Sequence, residues 1–252
     1  MNVAYKEAIE KGVKQAANPD YETVIIGAGI SGMAAGIKLI KEDMTSFVIV
    51  ERASGVGGTW RDNRYPGIAV DISSFTYSFS FEQNPNWSRV FSPGDDLHNY
   101  TKRIAAKYGL YPYFRFNTSV VSAIFDKATH MWTVELGDGS YMTARQIISA
   151  TGALIETKDP IIPGLDSFKG IKIHTGHWDT SLDLKGKRVA IIGTGATAVQ
   201  MIPELAREVG RLDVYQRTPI WVLKKPDGDI PPILKSAFRN IPLLQRGHGR
   251  TH

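Results

Sequence analysis

The amino-acid sequence predicts an α/β protein in which one βαβ unit occurs twice. Three observations support this class: a short apolar strand leads into a glycine-rich turn, a helical stretch follows, and a second apolar strand comes after the helix. This order is found at about residues 22–51 and again at about residues 187–217. A repeated βαβ unit of this length predicts two Rossmann-like dinucleotide-binding domains in one chain.

The first unit carries the full glycine spacing of a dinucleotide-binding turn. Its strand ends in the run Gly27-Ala28-Gly29-Ile30-Ser31-Gly32, and Glu51 ends the following strand. The glycines let the strand turn sharply into a helix whose N-terminus faces a pyrophosphate. Glu51 lies at the distance along the chain expected of an acid that accepts hydrogen bonds from a ribose. These features predict the site residues Gly27, Gly29, Ile30, Ser31, Gly32 and Glu51.

The second unit differs from the first at the end of its second strand. Its turn is Gly193-Thr194-Gly195-Ala196-Thr197-Ala198, and the strand after the helix ends in Gln216-Arg217-Thr218 rather than in an acid. An arginine there suits a 2′-phosphate, which a carboxylate would repel. The alternative is a solvated arginine at a strand end. An acidic first unit and a basic second unit together predict FAD first and NADPH second, with Arg217 and Thr218 recognising the 2′-phosphate.

Composition excludes several other classes of site. The chain has 252 residues, a formal net charge of +5 and no cysteine, which excludes disulfides, thiolate catalysis and cysteine-bound metals. His174 and His177 have helical ligand spacing, but we expect no metal there. The basic residues form no stripe interleaved with aromatics, which argues against nucleic acid. Without a signal-peptide core or a bilayer-length apolar run, we expect a cytoplasmic protein.

Between the two units, the pattern of elements is less regular. Residues 95–108 are predicted to be helical, and residues 114–125 and 131–136 alternate as strands. Gly137-Asp138-Gly139 predicts a hairpin turn. The predicted domains are residues 1–153 for FAD and 154–222 for NADP, both incomplete, followed by a basic tail at residues 223–252 that begins an insertion.

Two longer motifs resemble those of Baeyer–Villiger monooxygenases, which are class B flavin-dependent monooxygenases. Residues 57–71, GGTWRDNRYPGIAVD, are similar to their motif [A/G]GxWxxxx[F/Y]P[G/M]xxxD without a mismatch. Residues 168–179, FKGIKIHTGHWD, are similar to their fingerprint FxGxxxHxxxW[P/D]. Residues 150–152, ATG, resemble a segment that links the domains in that class. The final Trp178-Asp179 favours this branch over the sister family that oxygenates nitrogen and sulfur.

The resemblance implies an enzyme that uses FAD and NADPH to insert one oxygen atom of O2 next to a ketone carbonyl. The reaction would proceed through a flavin C4a-peroxide and give an ester or a lactone. The implied partners are O2 and a small-molecule ketone of unspecified structure. Two alternatives stay open: an N- or S-oxygenating flavin monooxygenase, and a truncated remnant that at most binds nucleotide. Oligomeric state is not indicated by the sequence.

The resemblance also implies roles for individual residues. Asp71 would face the flavin and the nicotinamide, although a turn or capping aspartate is the alternative. His174 would couple the two domains, and its alternative is a linker histidine with local hydrogen bonds. Further cofactor contacts are implied at Gly58, Thr59, Trp60, Arg61, Asp62, Tyr77, Val120 and Gln200. The catalytic arginine of the family has no counterpart in this sequence, which we therefore expect to be C-terminally incomplete.

Overall fold

The computed structural model describes residues 18–158 and 160–241. Within it the chain forms two compact units. Among the described residues, the first comprises residues 18–59 and 101–155, and the second comprises residues 60–100, 156–158 and 160–241. The first residues of the predicted FAD domain and the last residues of the predicted tail lie outside the described residues.

The first unit contains a six-stranded mixed sheet with the strand order β3-β2-β1-β6-β5-β4. Strand β1 pairs in parallel with β2 and β6, and β2 pairs in parallel with β3. Strands β4, β5 and β6 form an antiparallel meander. The strands are β1 (Tyr21–Ile26), β2 (Phe47–Val50), β3 (Phe114–Arg115), β4 (Val120–Asp126), β5 (Met131–Leu136) and β6 (Tyr141–Ser149).

Burial explains why the first βαβ unit forms. All four residues of β2 are buried, as expected for a parallel strand that is covered on both faces. Helix α1 (Ile30–Lys41) follows the glycine turn and buries Met33 and Ile37. At Gly36 a Cβ atom would lie 2.9 Å from Ile49 Cδ1, so the missing side chain lets α1 approach the sheet closely.

Two predictions for this region have different outcomes. The hairpin turn at residues 137–139 is confirmed, because β5 and β6 pair as antiparallel neighbours across it. The single strand predicted over residues 114–125 is wrong, because the chain forms two strands with a break between Arg115 and Val120. Strand β3 pairs with β2 and β4 pairs with β5, at opposite edges of the sheet.

The second unit contains another βαβ unit. Strand β7 (Arg188–Ile192) pairs in parallel with β8 (Arg211–Tyr215), and helix α4 (Ala196–Leu205) connects them. The helix buries Met201 and Leu205. Two further helices are divided between the units. The short α2 (Thr59–Asp62) has Thr59 in the first unit and its other residues in the second, and α3 (Gly94–Lys107) has its residues up to Tyr100 in the second unit.

Residues of the predicted tail also pack within the second unit. Helix α5 (Pro232–Asn240) buries Phe238, whose ring meets that of Phe75 edge-on at 5.3 Å. Ile230 is buried as well, and its N–H donates to Ser88 O at 3.0 Å. This segment is thus anchored by apolar side chains although its composition is basic. No helix within residues 18–158 and 160–241 is long and apolar enough to cross a bilayer.

Asp227 fixes the start of this anchored segment. Its carboxylate accepts hydrogen bonds from Phe91 N–H at 3.0 Å and from Arg89 Nε at 2.9 Å. Burial alone would raise the pKa of Asp227, but these hydrogen bonds and the charge of Arg89 outweigh it and lower the pKa. A carboxyl group whose pKa is lower in the folded state adds stability above its unfolded pKa and loses it as the pH falls through the folded value.

We predict that Asp227→Asn lowers the free energy of unfolding at neutral pH, because the charge-assisted hydrogen bond from Arg89 is lost. The difference from the unaltered chain should shrink as the pH falls below about 4, the ordinary value of an aspartate. Urea unfolding followed by tryptophan fluorescence measures both quantities. The exposed Asp166 supplies the control variant, Asp166→Asn. A difference that is equally large at low and neutral pH would contradict this account.

Candidate nucleotide-binding sites

Glu51 closes the glycine turn of the first unit. Its Oε2 accepts a hydrogen bond from Ala28 N–H at 2.7 Å, and its Oε1 accepts one from Ala53 N–H at 2.8 Å. Glu51 is buried, with 8% of its surface exposed. It therefore fixes the middle of the turn to the end of β2, which is where the sequence predicted a ribose-binding acid.

Two glycines of the first turn are required by the fold itself. A Cβ atom on Gly32 would lie 1.8 Å from Gly27 O, so helix α1 could not pack on the turn. Gly27 has φ +107°, and a Cβ atom there would lie 2.5 Å from Ala150 O. At both positions the chain's own backbone occupies the space that a side chain would need. This accounts for the two glycines without any ligand.

Gly29 is different because no contact within the described residues requires it to lack a side chain. Its backbone is extended, with φ −75° and ψ −173°, and the nearest atom to an added Cβ would be Gly58 Cα at 3.8 Å. Gly29 is the N-cap of α1, whose first turn holds no acidic residue. The N–H groups of a helix's first turn have no partner within the helix and favour an anion. This space fits a pyrophosphate.

The second turn has the same arrangement at the start of α4. Gly195 is the N-cap with φ −67° and ψ −179°, and an added Cβ would meet no atom within 4 Å. The first turn of α4 also holds no acidic residue. Thr194 Oγ1 accepts a hydrogen bond from Gln216 Nε2 at 3.1 Å, which ties the turn to the end of β8. Arg217 and Thr218 follow and are exposed, so both are available to a ligand.

The structure brings Trp60 and Tyr77 together in the second unit. Trp60 Nε1 donates to Tyr77 Oη at 3.1 Å, and the two rings meet edge-on with centroids 5.3 Å apart. Arg61 and Asp62 form an ion pair with each other at 2.8 Å. Val120 packs against the core of the first unit. The cofactor contacts expected at these residues, and at Gly58 and Thr59, stay predictions.

Asp71 is exposed and lies beside two half-buried phenols. Burial raises the pKa of Tyr65, a hydrogen bond with Thr197 lowers it, and the charge of Asp71 raises it further. Burial likewise raises the pKa of Tyr77, with a lowering contribution from Trp60 and a raising one from Asp71. Asp71 is therefore close enough to both tyrosines to destabilise their phenolates.

Gln200 was predicted to contact nucleotide, and in the structure its amide is hydrogen-bonded to another part of the second unit. Its Oε1 accepts from Tyr65 Oη at 2.9 Å and from Ala69 N–H at 3.4 Å, and its Nε2 donates to Ala69 O at 3.0 Å. Sequence reasoning missed this link, and no local pattern could have shown it, because 135 residues separate Tyr65 from Gln200.

The fingerprint residues form local turns. His174 Nδ1 accepts a hydrogen bond from Gly176 N–H at 3.1 Å, so the proton of the neutral ring is on Nε2. Asp179 Oδ1 accepts from Ser181 Oγ and Ser181 N–H, and these two bonds lower the pKa of Asp179. The coupling role expected of His174 stays a prediction, and its local hydrogen bond agrees with the simpler alternative stated above.

We predict that the phenol of Tyr65 titrates above the ordinary range of tyrosine. Thr197→Val should raise its pKa further by removing a hydrogen bond to the phenolate, and Asp71→Asn should lower the pKa of both Tyr65 and Tyr77. Carbon-13 NMR of ring-labelled tyrosine over a pH series measures these values. If Asp71→Asn left both phenols unchanged, Asp71 would not lie where the structure places it.

Comparisons with known proteins identify the family to which the chain is similar. The family model described as pyridine nucleotide-disulphide oxidoreductase matches residues 24–245. A Baeyer–Villiger monooxygenase of Streptomyces coelicolor is 44% identical over 226 residues, which are 88% of this chain and 43% of that protein. A Baeyer–Villiger monooxygenase of Pseudomonas aeruginosa is 42% identical over 225 residues, 89% of this chain and 43% of that protein.

Solved structures of monooxygenases also match this chain. The open crystal structure of cyclohexanone monooxygenase matches with a TM-score of 0.83 and 34% identity over 88% of this chain and 44% of that one. OTEMO in complex with FAD and NADP matches with a TM-score of 0.84 and 34% identity over 91% of this chain and 45% of that one. These matches confirm the predicted fold class and the predicted resemblance. The chain spans less than half the length of these relatives.

Proposed function

The chain belongs to the family of pyridine nucleotide-disulphide oxidoreductases, and on this premise we propose that it is the FAD- and NADP(H)-binding part of a Baeyer–Villiger-type monooxygenase. One observation carries the proposal. Gly29 and Gly195 each cap a helix whose first turn lacks an acid, and each leaves open the space that a Cβ atom would occupy. Two such sites in one chain suit two dinucleotides.

In the first site the chain would hold FAD by its pyrophosphate and its ribose. The pyrophosphate would approach Gly29 and the N–H groups of Ile30 and Ser31, where the helix dipole favours negative charge. Glu51 would accept hydrogen bonds from the ribose while it keeps the turn closed through Ala28. When bound, FAD supplies the redox and oxygen chemistry, and the protein supplies orientation and exclusion of water.

In the second site the chain would hold NADP(H) at the start of α4. The pyrophosphate would lie against Gly195, and the exposed Arg217 and Thr218 would bind the 2′-phosphate at the end of β8. The bond between Gln216 and Thr194 supports this placement because it holds that strand end beside the glycine turn. A solved relative is described as a complex with FAD and NADP, which supports the same pair for this chain.

Asp71 and His174 are the residues that we propose to act near the reacting groups. Asp71 would place a negative charge beside the nicotinamide and the flavin, and its exposure leaves it free to contact a ligand. His174 would link the two nucleotide sites. The proposed substrates are a small-molecule ketone and O2, with an ester or lactone as the product, and the proposed location is the cytoplasm. Relatives named Baeyer–Villiger monooxygenase support this reaction class.

Matched glycine variants test the proposal. Gly29→Ala should leave the chain folded yet weaken FAD binding by at least about tenfold, since a methyl group displaces the phosphate from charge-assisted N–H bonds. Gly195→Ala should weaken NADP⁺ binding to the same extent and leave FAD binding unchanged. Flavin absorbance after reconstitution and isothermal titration with NADP⁺ measure the two affinities.

Two controls separate binding from folding in this test. Gly32→Ala should fail to fold, because its Cβ atom would overlap Gly27 O. Gly228→Ala should fold and bind both cofactors, because its Cβ atom would meet nothing within 4 Å and it lies far along the chain from either turn. If Gly29→Ala and Gly195→Ala bound both dinucleotides as tightly as Gly228→Ala does, the proposed sites would be wrong.

A further inference from the structure

We infer that Gln200 and Tyr65 are positioning residues that hold the segment of residues 65–71, which ends in Asp71, against one face of helix α4. The inference rests on the proposed function in one respect, because that proposal places Asp71 near the reacting groups. The contacts that carry it lie entirely within the second unit.

The amide of Gln200 is matched to the backbone of Ala69 in both directions. Its Nε2 donates to Ala69 O at 3.0 Å, and its Oε1 accepts from Ala69 N–H at 3.4 Å and from Tyr65 Oη at 2.9 Å. A glutamine oxygen has two lone pairs, and here both are engaged. Exchanging the oxygen and the nitrogen of the amide would set Nε2 against Ala69 N–H and Oε1 against Ala69 O, so the observed orientation is the one that bonds.

The backbone of the segment also lies directly against the helix. A Cβ atom on Gly67 would be 2.3 Å from Gln200 O and 3.1 Å from Glu204 Cγ. Thr197, Gln200 and Glu204 are three and four residues apart, which places them on one face of α4. The segment therefore follows that face, and Gly67 permits the close approach.

Tyr65 connects this contact to the glycine turn. Its phenol donates to Gln200 Oε1 and also has a hydrogen bond with the side chain of Thr197, the fifth residue of the turn run at residues 193–198. Ala69, which Gln200 holds, is two residues from Asp71. The helix that would bind the nucleotide pyrophosphate thus also sets the position of Asp71.

The other side of the segment has separate anchors. Val70 N–H donates to Ser92 O at 3.1 Å, and Gly94 N–H donates to Ile68 O at 2.9 Å. Lys225 Nζ donates to Val70 O at 3.2 Å. The amides of Ala69 and Val70 are neighbours in the chain but face different partners, so they can report the two sides of the segment independently.

The test compares the unaltered chain with Gln200→Met, which keeps the length of the side chain but removes its hydrogen bonds, and with Tyr65→Phe. The exposed Gln146 in β6 supplies the matched control, Gln146→Met. Amide hydrogen exchange is read residue by residue by NMR. In Gln200→Met we expect exchange at Ala69 to accelerate by about tenfold, the loss expected for one hydrogen bond, with Val70 changed by less than about twofold.

A second readout follows the position of Asp71 itself. The charge of Asp71 raises the pKa of Tyr77, whose phenol oxygen accepts its hydrogen bond from Trp60 Nε1. If Gln200 positions Asp71, the Gln200→Met variant should lower the pKa of Tyr77, and Gln146→Met should not. A purely structural role in holding the unit together would not shift this titration.

Two outcomes would overturn the inference. One is unchanged exchange at Ala69 together with an unchanged pKa of Tyr77 in the folded Gln200→Met variant. The other is equal acceleration at Ala69 and Val70, which would mean that Gln200 stabilises the unit as a whole. NADP⁺ titration of the unaltered chain is a separate experiment: absence of binding would refute the proposed function, whereas the exchange and titration data would still decide the role of Gln200.

Discussion

The unsatisfied N–H groups at the start of a helix set the main constraint on this protein, because helices α1 and α4 each begin just after a parallel strand and no side chain caps either of them. An α-helix leaves its first N–H groups without partners, and an N-cap side chain or an acid usually satisfies or compensates them. Helices α1 and α4 have glycine at the N-cap and no acid in the first turn. The surrounding structure keeps these ends accessible instead of covering them.

In the first unit, Glu51 and the glycines meet that constraint together. Gly27 and Gly32 bring the strand and the helix into contact, and Glu51 fixes Ala28 so that the turn keeps its shape. The fully buried strand β2 holds Glu51 at its carboxyl end. In the second unit, the hydrogen bond from Gln216 to Thr194 fixes the glycine turn in a comparable way. The segment of residues 65–71 also packs on α4.

Short-range patterns allowed the prediction of both βαβ units. The glycine spacing, the apolar run Phe47–Val50 and the acid or arginine after each second strand all act within about thirty residues, so local physics is enough to recognise them. The resemblance at residues 57–71 and 168–179 was equally visible, because fixed aromatic and glycine positions recur at fixed distances. These signals gave the family and the fold class.

Contacts between distant parts of the chain could not be predicted in the same way. The alternation over residues 114–125 continues across the break at Arg115, so it did not show that β3 and β4 lie at opposite edges of the sheet. The basic composition after residue 223 concealed the buried Ile230 and Phe238. The bond from Tyr65 to Gln200 depends on packing between segments 135 residues apart.

The central claim is that one chain holds two different dinucleotides at two separate sites. Equilibrium dialysis of the full chain against FAD and NADP⁺, alone and together, tests it most directly. The account predicts one molecule of each bound per chain, no competition between them, and weaker binding of NADP⁺ but not of FAD in Arg217→Ala. Competition for a single site, or failure to bind FAD by a folded chain, would contradict it.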